Sequence, residues 1–382
     1  MKTAIINTTI VMPDYLIPNA VIVMEDGKIL DFGKKISTEG MEVIDAKGGY
    51  TGPGLIEIHT HGDGSVGFYE DPRSAAKTVL MHGVTTVLPA LYFSRTKEKL
   101  IEEVAIIREA MESGEAENIL GIYMEAPYMN PKFGSNRLNN PWREVVAKER
   151  YQELVDSCYD IAKVWCVAPE RENILEFVKY VKEKNPAAIF SVGHSEAEPY
   201  QIEELIPYGL KCSTHTTNAT GTLHKYPECR TACVDECAFY NDTMYAELIC
   251  DTVGIHVQPY MLRLIKKIKG DDKIILIADS DSCKDGGPIP ENGDYEGAFD
   301  IFFDKTGEIS GTRMQLDGPC RNMMIHTGAS LCQVFKYAST NPAALLSLTD
   351  RGLIKKGYRA DLVTVDPEFN IQSVYLAGKK IK

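Results

Sequence analysis

The fold of this chain is decided by Pro53-Gly54-Leu55-Ile56-Glu57-Ile58-His59-Thr60-His61-Gly62, where an apolar strand ends in two histidines and a glycine. Residues i and i+2 of a β-strand point to the same side, so His59 and His61 face one centre. Two imidazoles that share a centre are suited to one metal ion. Taken alone, the pair can also be two ordinary surface histidines at a strand end.

The texture of the sequence changes on either side of this segment. Before it, short strands and turns follow one another; after it, apolar strands alternate with amphipathic helices along most of the chain. This alternation predicts an α/β fold, a TIM-like (β/α)8 barrel with a parallel inner sheet. The tail returns to strands, including a segment from Gly352 to Gly357. We expect three parts: residues 1–52 and 348–382, which together form a small β-sandwich domain, and residues 53–347, which form the barrel.

The composition excludes several classes of function. The formal charge is −13, from 41 basic and 54 acidic residues without basic clusters, which argues against nucleic acid and anionic membranes as partners. We find no signal peptide and no apolar run of membrane-spanning length. Ten scattered cysteines indicate a reducing cytoplasm. Cys229, Cys233 and Cys237 are spaced for one helix face, where packing is a more usual role than metal binding.

Further chemically active residues follow other apolar runs. In a barrel of this kind, catalytic groups lie at the C-terminal ends of the strands. A single acid there usually caps the next helix, and a single histidine is usually hydrogen-bonded. Four histidines and two acids at five strand ends, however, predict a metal centre. Its predicted ligands are His59, His61, Glu125, His194 and His215.

The ligand types indicate the ion and the reaction. Imidazole and carboxylate without thiolate suit one or two divalent transition ions, zinc or iron. Such an ion lowers the pKa of bound water from about 15.7 toward roughly 7. Asp279, at the last of these strand ends, is the candidate base that takes a proton from this water and passes it to a leaving amine. The set predicts a hydrolase.

With these residues in place, the chain resembles the amidohydrolase superfamily and, within it, the N-acetylglucosamine-6-phosphate deacetylases. The resemblance runs nearly end to end. It rests on residues 53–62 and on Met124-Glu125-Ala126-Pro127, Gly193-His194-Ser195, Thr214-His215-Thr216-Thr217-Asn218-Ala219, Gly254-Ile255-His256-Val257 and Ile277-Ala278-Asp279-Ser280.

The resemblance implies an enzyme that removes the acetyl group from an N-acetyl amino sugar, N-acetylglucosamine 6-phosphate, giving glucosamine 6-phosphate and acetate. Glu125, His194 and His215 would hold the principal ion, and His59 and His61 would complete a second site. The implied substrate contacts are Asn218, Ala219 and His256. A homodimer is the assembly expected from the family.

The chain departs from the family pattern around the sugar phosphate. Tyr226 stands where the family has an arginine, and Lys225 or Arg230 would have to take its place. A lysine does not replace a planar bidentate guanidinium. Asn136 stands where the family often has histidine.

Two other functions stay open. One is an amidohydrolase that acts on another N-acyl substrate, an N-acyl amino acid or a dipeptide. The other is a binding protein with a structural metal, against which the intact Asp279 argues. A carbamylated bridging lysine is not expected, because Glu125 occupies the equivalent strand end.

Overall fold

The structure is a computed structural model that describes residues 2–221, 224–282, 284, 286–291 and 295–382, without the side chains of residues 224–226. The strands it describes are β1 (Thr3–Val11), β2 (Leu16–Glu25), β3 (Lys28–Gly33), β4 (Glu42–Asp45), β5 (Tyr50–Pro53), β6 (Leu55–Thr60), β7 (Val84–Tyr92), β8 (Ile122–Glu125), β9 (Ala162–Val167), β10 (Ile189–Val192), β11 (Leu210–Ser213), β12 (His224–Tyr226), β13 (Cys229–Arg230), β14 (Tyr245–Ile249), β15 (Ile274–Ile277), β16 (Ile301–Phe303), β17 (Ile309–Thr312), β18 (Leu362–Val365), β19 (Ile371–Leu376) and β20 (Lys379–Lys380).

Helices follow most of the central strands. They are α1 (Pro72–Met81), α2 (Lys97–Glu112), α3 (Lys148–Cys158), α4 (Ile174–Lys184), α5 (Pro199–Leu205), α6 (Val234–Tyr240), α7 (Pro259–Lys269), α8 (Asp317–Thr327), α9 (Leu331–Phe335) and α10 (Asn341–Leu345). Local sequence sets their starts. Asp71 accepts a hydrogen bond from the Ser74 N–H ahead of Pro72 in α1, and Thr96 accepts one from the Lys99 N–H in α2. None of the described helices is long and apolar enough to cross a membrane.

Eight parallel strands form the barrel, in the order β6-β7-β8-β9-β10-β11-β14-β15. All six residues of β6 are buried, as expected for a parallel strand covered on both faces. The barrel closes between β15 and β6, where the carbonyl of His59 accepts the Asp279 N–H at 3.0 Å and the carbonyl of Ser280 accepts the His61 N–H at 2.8 Å. The predicted (β/α)8 barrel is confirmed.

A buried carboxylate joins the two strands at this closure. Glu57 accepts the N–H of His59 from its own strand and the N–H of Ala278 from beyond β15, both at 2.8 Å. Burial raises the pKa of Glu57 to about 8, and the two peptide N–H groups only partly offset this effect. The side chain therefore supplies hydrogen bonds where the ladder between β6 and β15 is incomplete.

Both ends of the chain contribute to a second sheet. It has eight strands in the order β20-β19-β18-β5-β1-β2-β3, with β4 added beside β1. The pairing of β18 with β5 brings residues 362–365 against residues 50–53. Ile5, Ile22, Leu362 and Tyr375 share a hydrophobic cluster separate from the barrel core. A sheet built from both termini agrees with the prediction, while the division at residues 52 and 348 stays a prediction.

Two local predictions were wrong. The segment from Gly352 to Gly357 is a turn rather than a strand, because both glycines have left-handed backbones, with φ of 82° and 83°. Cys229 and Cys233 precede the helix that contains Cys237, since α6 begins at Val234. All nine cysteines within the described residues are free thiols.

Candidate metal centre

Three site residues share an uncommon backbone conformation two positions after a barrel strand ends. His194 follows β10 with φ of 45°, His215 follows β11 with φ of 28°, and Asp279 follows β15 with φ of 46°. Non-glycine residues rarely adopt positive φ, and such strain is concentrated at functional sites. The shared turn places the three residues at the same end of the barrel.

The predicted residues assemble into two adjoining groups. His59, His61 and Asp279 form one, and Glu125, His194 and His215 form the other; in each, the potential ligand atoms lie within 4.8 Å of one another. All six residues are buried. The strand-end pattern predicts the four histidines and Glu125 as ligands and Asp279 only as the proton carrier, whereas the structure also brings the carboxylate of Asp279 beside His59 and His61.

Glu125 lies between the two groups. One carboxylate oxygen is 2.7 Å from Nε2 of His194 and 3.0 Å from Nε2 of His215. The other is 3.1 Å from Nε2 of His61 and 3.7 Å from Nε2 of His59. Four imidazoles thus direct the same ring nitrogen toward one carboxylate.

The electrostatics follow from burial and from these contacts. Burial opposes the ionisation of Glu125, but His194 and His215 hold its pKa well below the usual value. Burial likewise opposes the protonation of His61, yet Asp279 and Glu125 raise its pKa to about 10. Burial also opposes the ionisation of Asp279, but its contacts with His61 and His59 lower its pKa to about 2. Burial lowers the pKa of His194.

This arrangement fits a divalent cation. Nε2 of His59 is buried and has no hydrogen-bond partner among the described residues. Leaving such atoms unpaired in a protein interior is costly. Imidazole nitrogens with carboxylate oxygens are the donors that zinc and iron accept.

In the first group, the Nδ1 atoms of both histidines, which face away from the centre, have hydrogen-bond partners. Nδ1 of His61 lies 3.1 Å from the carbonyl oxygen of Ala90, and Nδ1 of His59 lies 3.1 Å from the carboxylate of Glu247. Tyr123 stacks on His59 with ring centroids 4.4 Å apart. Glu247 is a site residue that the strand-end pattern does not predict. An acid within the apolar strand β14 was the signal that could have identified it.

Five of the six residues in the two groups line a cavity of about 560 Å³, and His59, which is fully buried, is not among its lining residues. The implied substrate contacts Asn218, Ala219 and His256 all line it. His256 is oriented by Asp251, whose carboxylate lies 3.2 Å from Nδ1 and also accepts the His256 N–H at 2.8 Å. Nε2 of His256 is buried without a hydrogen-bond partner among the described residues, which leaves it available to a bound molecule.

The cationic side chains of the cavity differ from those expected. Arg230 is exposed, forms an ion pair with Glu236 and is not among the lining residues. The side chain of Lys225 lies outside the described part of the chain. The cations that line the cavity within that part are Arg95, Arg137 and Lys305.

Comparison with known proteins agrees with this geometry. Residues 51–381 match the sequence model of the amidohydrolase family. The N-acetylglucosamine-6-phosphate deacetylase of Lysinibacillus sphaericus is 28% identical over 381 residues, covering 93% of this chain and 92% of that protein. The N-acetylgalactosamine-6-phosphate deacetylase of Escherichia coli O157:H7 is 25% identical over 336 residues, covering 86% of each. The crystal structure of the N-acetylglucosamine-6-phosphate deacetylase from Pasteurella multocida has a TM-score of 0.85 at 23% identity, covering 100% of this chain and 99% of that chain, and so shares the fold.

Gly311 fixes the position of Asp279 and provides a test of this packing. A Cβ at Gly311 would lie 2.3 Å from the carbonyl oxygen of Asp279, and φ is +81°. Gly114 has a similar φ of +74°, but a Cβ there would meet nothing within 4 Å. Both alanine variants carry the left-handed backbone cost of about 1–2 kcal/mol. We expect Gly311→Ala to lose a further 1–3 kcal/mol, roughly the cost of overpacking. Urea unfolding measures both variants, and equal losses would contradict a tight contact at Asp279.

Proposed function

Because this chain belongs to the amidohydrolase family, we propose that it is a metal-dependent hydrolase that removes the acetyl group from an N-acetylhexosamine 6-phosphate. The observation that carries the proposal is the convergence of four imidazoles and two carboxylates at the strand ends, where five of these six side chains line one cavity. The relatives from Lysinibacillus and Escherichia are deacetylases of two epimeric sugar phosphates. N-acetylglucosamine 6-phosphate is the proposed substrate, with glucosamine 6-phosphate and acetate as products.

The proposed ligands divide between two ions. Glu125, His194 and His215 would hold one, and His59 and His61 the other, with Asp279 beside them. A bound divalent ion, zinc or iron, would polarise the substrate carbonyl and make water a better nucleophile at neutral pH. Free thiols at all nine described cysteines support a reducing cytoplasm as the place of action. A homodimer stays the expected assembly.

Asp279 is the proposed proton carrier. Its carboxylate oxygen is 3.4 Å from Nε2 of His61, and a carboxylate beside bound cations stays in the ionised form that can accept a proton. It would take one proton from the attacking water as the carbon–oxygen bond forms. It would then give this proton to the amine nitrogen as the carbon–nitrogen bond breaks, so that the amino sugar and acetate leave.

The phosphate is proposed to bind at Arg137 rather than at Lys225 or Arg230. Arg137 lines the cavity, and its Nη1 donates to Glu308 at 2.6 Å and to the Gly134 carbonyl at 3.3 Å. A guanidinium carries five N–H donors in a planar fork, so these contacts leave further donors for phosphate oxygens.

Replacing Asp279 tests the proposed reaction. Asp279→Asn keeps the size of the side chain but cannot carry the proton. We expect acetate release from N-acetylglucosamine 6-phosphate to fall by roughly 10²–10⁴, the usual contribution of general acid–base catalysis. Metal content, measured on the same preparation, should largely remain. Normal turnover with full metal content would exclude Asp279 as the proton carrier, and no acetate from the wild-type protein would exclude the deacetylase.

Replacing His59 and His61 tests the division between two ions. The double variant His59→Gln, His61→Asn should lose one ion, because the Glu125, His194 and His215 group keeps all three of its ligands. Elemental analysis of protein purified without chelator gives the stoichiometry, which is the quantity to compare because rates also respond to outer-shell changes. Loss of all metal would mean that the five residues share one site.

Replacing Arg137 tests the phosphate contact. Arg137→Met should lower kcat/KM for the 6-phosphate by roughly 10- to 100-fold, in line with about 1.5–3 kcal/mol for a hydrogen bond to a charged group. The value for neutral N-acetylglucosamine should barely change. Arg230→Met and Lys225→Met are the controls, measured at one ionic strength because salt screens exposed charges. If kcat/KM for the 6-phosphate falls selectively in either control and not in Arg137→Met, the phosphate contacts Lys225 or Arg230, as the sequence suggested, and not Arg137.

A further inference from the structure

Glu247 is a fully buried acid that the proposed reaction does not use. It lies in β14, inside the barrel, with 0% of its surface exposed. One carboxylate oxygen accepts the hydroxyl of Tyr123 at 3.2 Å and the thiol of Cys212 at 3.5 Å. The other lies 3.1 Å from Nδ1 of His59 and accepts the peptide N–H of His215 at 3.3 Å. Both oxygens are therefore occupied by donors from the surrounding strands.

These contacts determine which nitrogen of His59 carries a proton. A carboxylate has acceptor oxygens only, so its contact with the ring of His59 at 3.1 Å is made by a proton on Nδ1. The neutral ring then presents the lone pair of Nε2 to the metal centre. Tyr123 stacks on the ring with an interplanar angle of 23° and restrains its rotation.

The contact is specific to this histidine. His61 donates to a backbone carbonyl, and Nδ1 of His194 and of His215 has no hydrogen-bond partner within the described residues. Among the four imidazoles within the described residues, only that of His59 has a carboxylate at Nδ1, on the side of the ring away from the proposed ion. A carboxylate in this place increases the basicity of a metal-binding imidazole.

We infer that Glu247 is a positioning residue: it fixes the Nδ1-protonated form of His59 and thereby sets how tightly the His59, His61 and Asp279 group holds its ion. The inference rests on the ion binding of the proposed function and is independent of the substrate.

Glu57 supplies a matched control. It is also a buried glutamate of the barrel interior, but it accepts only the peptide N–H groups of His59 and Ala278. Glu57→Leu and Glu247→Leu therefore both remove a buried carboxylate and leave a peptide N–H without its acceptor. Only Glu247→Leu removes a partner of the imidazole ring. Glu247→Gln is the conservative variant, because its oxygen can accept from His59 while its amide donates to Tyr123.

The experiment measures zinc affinity by competition with a chromogenic chelator. The ion held by His59 is identified as the one that the His59→Gln, His61→Asn protein lacks. Glu247→Leu should lower the affinity for that ion by roughly 10- to 100-fold relative to the affinity for the other ion, which is the usual effect of removing an outer-shell partner. Glu247→Gln should recover most of this loss. Glu57→Leu should lower the urea midpoint and change the ratio of the two affinities much less than Glu247→Leu does, because it leaves Nδ1 of the His59 ring with its partner Glu247.

An unchanged ratio in Glu247→Leu, an equal selective loss in Glu57→Leu, or no ion lost from the double histidine variant would overturn the inference. If the leucine variant does not fold, NMR of the zinc-loaded wild-type protein with ¹⁵N-labelled histidine decides. A proton on Nδ1 of His59, assigned by its loss in His59→Gln, supports the inference, and its absence overturns it. Neither readout uses an acetylated sugar, so the inference and the deacetylase proposal fail separately.

Discussion

The structure depends on keeping ionisable carboxylates inside a closed barrel. Glu57, Glu125 and Glu247 are at most 2% exposed, and a buried carboxyl group without hydrogen-bond partners is costly. Each is compensated by donors of a different kind. Glu57 accepts peptide N–H groups at the barrel closure, Glu247 accepts a hydroxyl, a thiol, a ring N–H and a peptide N–H, and Glu125 faces imidazoles. The closure of the barrel and the geometry of the site therefore depend on each other, because the same strands supply the buried acids and the groups that donate to them.

The strained backbones of His194, His215 and Asp279 are tolerated because their neighbours are fixed. The N–H of Asp279 donates to the carbonyl of His59, and its own carbonyl accepts the Thr312 N–H at 2.8 Å. Gly311 packs so closely there that no larger residue fits without displacement. The barrel's many ladder hydrogen bonds outweigh a local cost of about 1–3 kcal/mol per strained residue. The positions of these side chains are set by the barrel rather than by local preference.

The sequence predicted those parts of the fold and site that follow from periodicity and strand ends. The two-residue spacing of His59 and His61 fixed their common side, and the barrel rule then brought Glu125, His194, His215 and Asp279 to the same place. It did not predict Glu247, whose role depends on which side chain of β14 packs against His59 of β6, and in the closed barrel β15 lies between these two strands. It also offered Arg230 as a phosphate contact, whereas Arg230 is exposed and does not line the cavity; the path of a loop depends on tertiary contacts that a motif does not contain.

The predicted ligands and the cavity residues on loops therefore differ in how easily they can be substituted. The predicted ligands are rooted at barrel strand ends, where a shift would disturb buried charge pairs. Arg137 and its partner Glu308 belong to a loop and a hairpin that also meet through the hydroxyls of Ser135 and Ser310, 2.7 Å apart. Contacts between surface loops can change without disturbing the packing of the barrel core. A change in this loop or hairpin can thus alter the wall of the cavity while the six buried residues at the strand ends keep their positions.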